Sequence, residues 1–361
     1  MSEVKEEIDY RSILSELGYR LQDSGSCWRT QAVYRGGKNS GSLLIFKETG
    51  VWVDFGYDEK YYPFLSLVGK TSGENSVIYE KVKGNTHTEE DVKEFEEVRE
   101  GIPTMKKIYG KDYFALLPHH LFYTKKGIKK ETLEFFQGGL AMSKDSMSRR
   151  YVFPVVDENG DIIGYNGRTI IEGDNRAKWK ILGGKKNFRY PAFLKDRLGK
   201  FPVIEAIEEK SEVILIESVG DSLSLVEHNY KNNIVTFGLT ISADVISFLN
   251  RFSDLAIFIC LNNDYSKDVN TGKVAAVKMF LDLSLHFDSS RIKICLPIKG
   301  DFGDMLGDNE AYRDWEAKKE NASKLDFTKT VVTMAEKLLT VSVKEGGIPQ
   351  RYRKNIKNLK D

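Results

Sequence analysis

The chain has 361 residues and carries 54 Lys and Arg residues against 53 Asp and Glu residues, a formal net charge of +1. That balance excludes a uniformly basic protein, so any nucleic-acid-binding surface would have to come from local segregation of charge. The three cysteines are widely separated and form no C-x-x-C pair, which excludes a zinc ribbon and a disulfide framework.

The first predicted elements lie in residues 1–70, which we interpret as a small α+β domain. The apolar spacing in "DYRSILSELGYRL" predicts a helix, "SLLIFKETGVWVDFGY" predicts a β-hairpin, and a short helix is expected after Pro63. Residues 71–104 are predicted to be an acidic linker, because seven acidic and two basic residues fall between Glu89 and Glu100.

Residues 105–205 form a basic and aromatic segment, in which "YVFPVVDENGDIIGYNGRTI" predicts a second hairpin. Its cations are candidates to follow a phosphate backbone, and Trp179, Phe188 or Tyr190 are candidates to stack on unpaired bases. The alternative is a solvated basic face with the aromatic side chains in the core. The candidate cations are Arg149, Arg150, Arg168, Lys178, Lys180, Lys185 and Lys186.

Residues 206–310 have a different pattern, in which short apolar runs alternate with helical spacing. Such alternation predicts a parallel sheet that is flanked by helices. The strands are predicted at Val213–Ile216, Ile234–Phe237, Leu255–Leu261 and Arg291–Leu296. Residues 311–361 are predicted to be helical, with a basic tail that has six basic and two acidic residues from Val341 onward.

Acidic and amide residues follow three of these strands. They are Glu217 and Asp221, then Asn262, Asn263, Asp264 and Asp268, then Asp301 and Asp304. The carboxyl ends of parallel strands share one sheet edge, where ligands bind, so we expect these groups to converge. Carboxylates this close repel unless a cation lies between them, and oxygen ligands without His or Cys favour Mg²⁺ or Mn²⁺. The alternative is that each carboxylate caps a helix.

The order Glu217-x-x-x-Asp221, Asn262-x-Asp264 and Asp301-x-x-Asp304 resembles the Toprim domain of primases, topoisomerases and some nucleases. The resemblance implies that Glu217 acts as a general acid or base. It also implies that Asp264, Asp301 and Asp304, together with Asp221, hold Mg²⁺ near the reacting phosphates.

One position departs from the Toprim pattern, because Asn262 stands where the family has the first Asp of a D-x-D pair. An amide oxygen can bind Mg²⁺ but brings no charge, so one metal site is expected to be weaker. A shifted pairing of Asp264 with Asp268 remains an alternative.

The upstream half resembles primases in particular. "YTKKGIKKETLEFFQGGL", "RRYVFPVVDENGDIIGYNGRTI" and "KWKILGGKKNFRYPAFLKDR" resemble, in this order, segments of the primase RNA-polymerase part, and the resemblance covers Tyr123–Leu306. It implies a primase of phage or mobile-element type that joins ribonucleoside triphosphates on single-stranded DNA. No P-loop is present, so a separate helicase is the implied partner. The basic tail is a candidate contact for that helicase or for DNA.

Residues 1–70 resemble a primase zinc-ribbon domain that has lost its zinc. The metal-ligand positions hold Ala32, Arg35 and the run from Trp52 to Phe55, so we expect no zinc. The alternative is an unrelated α+β module.

Two other functions remain open. A Toprim nuclease would use similar metal chemistry with water as the nucleophile, and a DNA-binding replication accessory would carry a decayed site marked by Asn262. The polar N-terminus and the lack of an 18-residue apolar run predict a cytoplasmic protein, in the host cytoplasm if phage-encoded.

Overall fold

The computed structural model divides the chain into two compact units, Met1–Met105 and Lys106–Asp361. The structure describes residues 8–24, 27–37, 41–54, 61–83, 107–110, 113–142, 147–173, 176–265, 270–342 and 345–360. No helix within these ranges is long and apolar enough to span a membrane.

The first unit is built on an antiparallel sheet with the strand order β1-β2-β3-β4-β5. Its elements are α1 (Tyr10–Glu16), β1 (Gln22–Ser24), β2 (Cys27–Thr30), β3 (Leu43–Phe46), β4 (Trp52–Asp54), β5 (Tyr61–Tyr62), α2 (Phe64–Ser72) and α3 (Val77–Val82). The predicted first helix, the hairpin and the helix after Pro63 are therefore confirmed.

The predicted linker is wrong at its start, because α3 lies within residues 71–104 and buries Val82 in the core of the first unit. The helix has only six residues, too few for apolar periodicity to indicate it. That run, residues 89–100, lies outside the described residues.

A buried ion pair links β4 to the short turn at residues 33–35. The Asp54 side chain is fully buried and accepts hydrogen bonds from Arg35 Nε at 2.7 Å, Arg35 Nη2 at 2.8 Å and Tyr34 Oη at 2.8 Å. Arg35 and Asp54 lie among the residues that the sequence analysis compared with zinc-ligand positions and for which no zinc is expected, and Ala32, another of them, is fully buried. These hydrogen bonds join β4 to the turn at residues 33–35.

The second unit begins with an antiparallel sheet in the order β10-β9-β8-β7-β6. Its elements are β6 (Leu116–Leu117), α4 (Leu121–Thr124), α5 (Lys130–Phe135), β7 (Gly139–Ala141), β8 (Arg150–Val156), β9 (Ile162–Thr169) and β10 (Trp179–Gly183). The pairing of β8 with β9 confirms the predicted second hairpin.

A four-stranded sheet follows in the order β12-β11-β13-β14, and every pairing in it is parallel. Its elements are α6 (Pro202–Lys210), β11 (Glu212–Ile216), α7 (Val219–Glu227), β12 (Asn233–Val235), α8 (Ala243–Leu249), β13 (Ala256–Ile259), α9 (Thr271–Leu283) and β14 (Ile292–Ile294). The predicted α/β architecture is confirmed, with strand ends shifted by one or two residues. Within the described residues after β14, the helices are α10 (Asn309–Ser323), α11 (Thr328–Leu339) and α12 (Tyr352–Asn358).

One continuous apolar core joins both sheets of the second unit. Phe188 and Tyr190 belong to that core and are each only 1% exposed. The expectation that they stack on bases is therefore wrong, because burial against Phe237 leaves neither ring accessible to a nucleic acid. Of the three predicted stacking residues, Trp179 alone is partly exposed.

Candidate active site

The loops that follow β11, β13 and β14 meet at the carboxyl edge of the parallel sheet. Asp221 Oδ1 accepts a hydrogen bond from Phe302 N at 3.1 Å, which joins the first loop to the third. Asn263 joins the second loop to the third, because its N donates to Gly300 O at 2.6 Å and its Nδ2 donates to Pro297 O at 2.9 Å. The structure thus brings the three predicted acidic clusters to one edge.

Asp221 is the third residue of α7, lies in its first turn and is 2% exposed. Its Oδ2 accepts hydrogen bonds from Ser218 N at 3.0 Å and Ser218 Oγ at 2.7 Å, while Asp221 N donates to Ser218 Oγ at 3.3 Å. Both carboxylate oxygens are therefore directed at protein donors. The residue forms a capping box that also holds the third loop, and its role as a metal ligand stays a prediction.

The pKa of Asp221 depends on two neighbouring carboxylates. Burial, together with the negative charges of Asp301 and Glu217, raises the pKa of Asp221 to about 7, against the lowering effect of the Ser218 hydrogen bonds. Glu217 is half-buried and directly follows β11. The carboxylates of Glu217 and Asp301 therefore lie within electrostatic range of the same buried group.

The third loop presents two carboxylates in a tight turn. Asp301 is half-buried, and its Oδ1 accepts a hydrogen bond from Asp304 N at 2.7 Å. Asp304 is exposed, and its Oδ2 lies so close to Gly300 that a β-carbon at that residue would overlap it. A glycine at position 300 therefore lets the Asp304 carboxylate fold back toward the end of β14.

Asp264 is held against the beginning of α9. Thr271 Oγ1 donates a hydrogen bond to Asp264 Oδ2, and Asp264 N donates to Asn270 Oδ1 at 3.2 Å. Gly272 lies directly against the carbonyl of Asn262, where any β-carbon would clash. This close approach fixes the segment from Asn262 to Asp264, whereas Asp268 lies outside the described residues.

The donor set at this edge consists of oxygen atoms and suits Mg²⁺. Within the described ranges, no three His, Cys, Asp or Glu side chains are grouped closely enough to hold one ion. Mg²⁺ does not require such a group, because proteins usually hold it through one or two carboxylates together with water and substrate phosphates. Asp264, Asp301, Asp304 and the amide of Asn262 fit that requirement.

A cationic and aromatic face lies beside the acidic edge. Arg168 Cζ lies 5.4 Å from the centre of the Trp179 ring and 5.9 Å from that of Phe122, and Lys126 Nζ lies 4.5 Å from the Phe122 ring. The indole of Trp179 reaches Gly220, next to Asp221, since a β-carbon at Gly220 would lie 3.5 Å from Trp179 Cζ2. The face therefore borders the acidic edge directly.

Lys126 is a member of this face that the sequence analysis did not single out. Partial burial lowers the pKa of Lys126, as do the positive charges of Arg168 and Lys178, whereas the negative charge of Asp301 raises it. The side chain thus lies between the cations and the acids. Its sequence context, "YTKKGIKK", offers four lysines with nothing local to distinguish them.

The remaining predicted cations are dispersed. Arg150 is 2% exposed and donates hydrogen bonds to the carbonyls of Ala177 at 2.8 Å, Gly167 at 3.1 Å and Lys178 at 3.2 Å, so it fixes the sheet. This burial corrects its assignment to a nucleic-acid surface. Lys180 pairs with Gly167 while Trp179 pairs with Arg168, so Lys180 projects from the other face of β10.

Three further predicted cations are exposed but lie at other places. Lys185 and Lys186 lie in a short turn that follows the C-terminal end of β10, whereas Trp179 is the first residue of that strand. Arg149 is exposed just before β8 and has a φ of 57°.

Comparison with known proteins gives a consistent set of relatives. The chain is 24% identical over 203 residues to the DNA primase of Buchnera aphidicola subsp. Baizongia pistaciae, an alignment that covers 56% of this chain and 32% of the relative. It is 27% identical over 143 residues to the DNA primase of Borreliella burgdorferi, which covers 38% of this chain and 26% of the relative. This chain is similar to bacterial DNA primases.

The similarity to primases has clear bounds. The chain spans about a third or less of the length of these curated primases, and no protein-family model matches it. A solved structure of the Aquifex aeolicus primase, with its zinc-binding and RNA polymerase domains, aligns with 99% of this chain and 96% of its own at 18% identity and a TM-score of 0.47. Because that TM-score is below 0.5, we draw no conclusion from the structural likeness.

Proposed function

We propose that this chain is a primase of the DnaG type, which joins ribonucleoside triphosphates on a single-stranded DNA template in a Mg²⁺-dependent reaction. One observation carries the proposal: carboxylates at three strand ends border a face that presents Lys126, Arg168 and Trp179. Such a site offers groups for a metal, for phosphates and for an unpaired base. The sequence similarity to bacterial DNA primases supports the same activity.

Mg²⁺ would bind at the edge that carries Asp264, Asp301 and Asp304, held by one or two of these carboxylates together with water, with the amide oxygen of Asn262 as a neutral further ligand. When bound, Mg²⁺ neutralises the triphosphate and stabilises the leaving pyrophosphate. The chain itself keeps these ligands in place. Thr271 orients the Asp264 carboxylate, and Asp301 is fixed by its hydrogen bond from Asp304 N.

Other side chains act on the nucleotide and the template. Glu217 accepts the proton of the attacking 3′-hydroxyl, a role that its half-buried position beside Asp221 permits. Arg168, Lys126 and Lys178 bind phosphate oxygens, and Trp179 stacks on an unpaired base. The capping carboxylate of Asp221 positions the loop that carries Asp301.

We place the enzyme in a phage or mobile-element replication system, where a separate helicase would open the duplex.

One assay distinguishes the candidate functions: incubation with single-stranded DNA, labelled ribonucleoside triphosphates and Mg²⁺. Short RNA products support the primase, shortened DNA indicates a nuclease, and a mobility shift without products indicates a binding protein.

Charge reversal at Lys178 is expected to weaken binding of single-stranded DNA roughly tenfold and to lower the salt slope of log K by about 0.7. The reason is that Lys178 lies within electrostatic range of Lys126 at the candidate site. Lys180→Glu is the matched comparison and should have the smaller effect, because Lys178 is among the charges that act on Lys126 and Lys180 is not. Binding assays at several salt concentrations measure both, and equal losses for the two variants contradict the assignment.

Asn262→Asp is expected to lower the Mg²⁺ concentration required for half-maximal primer synthesis several-fold. The added carboxylate brings negative charge to a site whose present ligand is neutral, and cation affinity rises with ligand charge. A Mg²⁺ titration of primer synthesis measures the shift. An unchanged or higher requirement would show that residue 262 is not near the ion.

A further inference from the structure

The last described helix, α12, packs on α9 and α11. Tyr352 and Ile356 are 2% and 4% exposed and belong to the core of the second unit. Tyr352 Oη donates a hydrogen bond to Asp282 Oδ2 at 3.0 Å, and Asn355 Nδ2 donates to Leu281 O at 3.3 Å. These contacts hold α12 against the C-terminal end of α9 and determine which side faces solvent.

The solvent side of α12 and its flanks is strongly basic. The segment from residue 346 to residue 360 contains no acidic residue, and its five cations are all exposed: Arg351, Arg353, Lys354, Lys357 and Lys360. Lys360 forms an ion pair with Glu336. Within the described part of the chain, no carboxylate forms an ion pair with Arg353, Lys354 or Lys357. We call these five exposed residues the α12 basic face.

A further cation lies under this face. Burial lowers the pKa of Lys278 on α9, and the positive charge of Arg351 lowers it further, against the nearby Asp282. The protein therefore holds two like charges near each other at the junction of α9 and α12. Like charges in proximity are stabilised when a polyanion neutralises them.

The α12 basic face lies at the other end of α9 from the candidate active site. Thr271, the first residue of α9, donates a hydrogen bond to Asp264, while Asp282 and Leu281 near its end contact α12. A helix of 13 residues is about 20 Å long at 1.5 Å per residue. That length corresponds to about six nucleotides of a stacked strand, which rises about 3.4 Å per nucleotide in duplex DNA.

We infer that the α12 basic face binds the phosphate backbone of the nucleic acid about six nucleotides from the candidate active site. The inference rests on the proposed function, which places a nucleic acid at Asp264. Lys354 and Lys357 are three residues apart on α12, a rise of about 4.5 Å, and Lys360 follows the end of the helix, so flexible lysine side chains can reach successive phosphates. A regular polyanion fits this repeat better than a folded acidic protein surface.

The test compares the binding of a short and a long template by a charge-reversed full-length chain. Lys354→Glu/Lys357→Glu is expected to bind an oligothymidylate of about 30 nucleotides roughly tenfold more weakly and to lose about 1.4 from the salt slope, with no change for one of about 6 nucleotides. The matched control is Lys231→Glu/Lys329→Glu, which reverses two exposed lysines elsewhere on the second unit. Fluorescence anisotropy at several salt concentrations measures the affinities.

Three results would overturn the inference: no loss on the long oligonucleotide, an equal loss on both lengths, or an equal loss in the control. Unchanged DNA binding with lost binding to polyglutamate would assign the face to an acidic protein instead. Primer synthesis by the wild-type chain is scored separately. A length-dependent loss of binding without any RNA product would support the α12 basic face and reject the proposed polymerase activity.

Discussion

Asp264→Asn and Glu217→Gln are each expected to lower primer synthesis by about 100-fold or more. Asp264 would lose the charge that attracts Mg²⁺, and Glu217 would lose the ability to accept a proton. Both replacements keep the size and shape of the side chain, and an amide oxygen at residue 264 can still accept the hydrogen bond from Thr271. The loss should therefore come from chemistry, with the fold intact.

The measurement is RNA product formed per minute on single-stranded DNA at saturating Mg²⁺, with template affinity measured in parallel. Template affinity should change little, because the cations beside the site are untouched. Asp314→Asn is the matched control, since it removes an exposed carboxylate from α10 away from the three strand ends. Wild-type turnover in either Asp264→Asn or Glu217→Gln would overturn the site assignment.

Asp54→Asn is expected to destabilise the first unit by about 3 kcal/mol. The replacement leaves the Arg35 guanidinium beside a neutral amide, with two hydrogen bonds from Arg35 weakened and its counter-charge removed. The side chain of Asp54 is fully buried and that of Arg35 is 22% exposed, so water cannot fully compensate. Replacing both partners by apolar residues, Arg35→Met/Asp54→Leu, should restore part of the loss.

Hydrogen exchange of the full-length chain measures this effect, with peptides of the second unit as an internal reference. Asp23→Asn is the matched control: it removes the carboxylate of an ion pair in which Asp23 is 73% exposed, so a change within about 0.5 kcal/mol is expected. Exchange in β2–β4 as slow in Asp54→Asn as in the wild type would contradict a stabilising role for the pair.

Stoichiometric zinc in the purified chain would contradict the zinc-free interpretation.

Local patterns in the sequence predicted the first helix and the hairpin of the first unit and the parallel sheet of the second, but not α3. The alternation of apolar runs with helical spacing predicts a parallel sheet, because only strands buried on both faces are apolar throughout, and β11 is an example with Val213–Ile216 fully buried. The hairpin of β8 and β9 follows from two β-rich runs around a turn at residues 158–160. Glu217, Asp264 and Asp301 could be placed near one another because strand ends in such a sheet share one edge.

Tertiary structure alone decided what each polar side chain does at that edge. The sequence left Asp221 open between capping and metal binding, and the contact of its Oδ1 with Phe302, 81 residues away, favours capping and loop positioning. In the sequence nothing distinguishes Arg150 from the neighbouring cations. In the structure its guanidinium donates hydrogen bonds to the carbonyls of residues 167, 177 and 178. Lys126 joins the site because α4 packs where Arg168 and Asp301 can act on it. Such roles depend on contacts between residues far apart in sequence, which apolar periodicity does not encode.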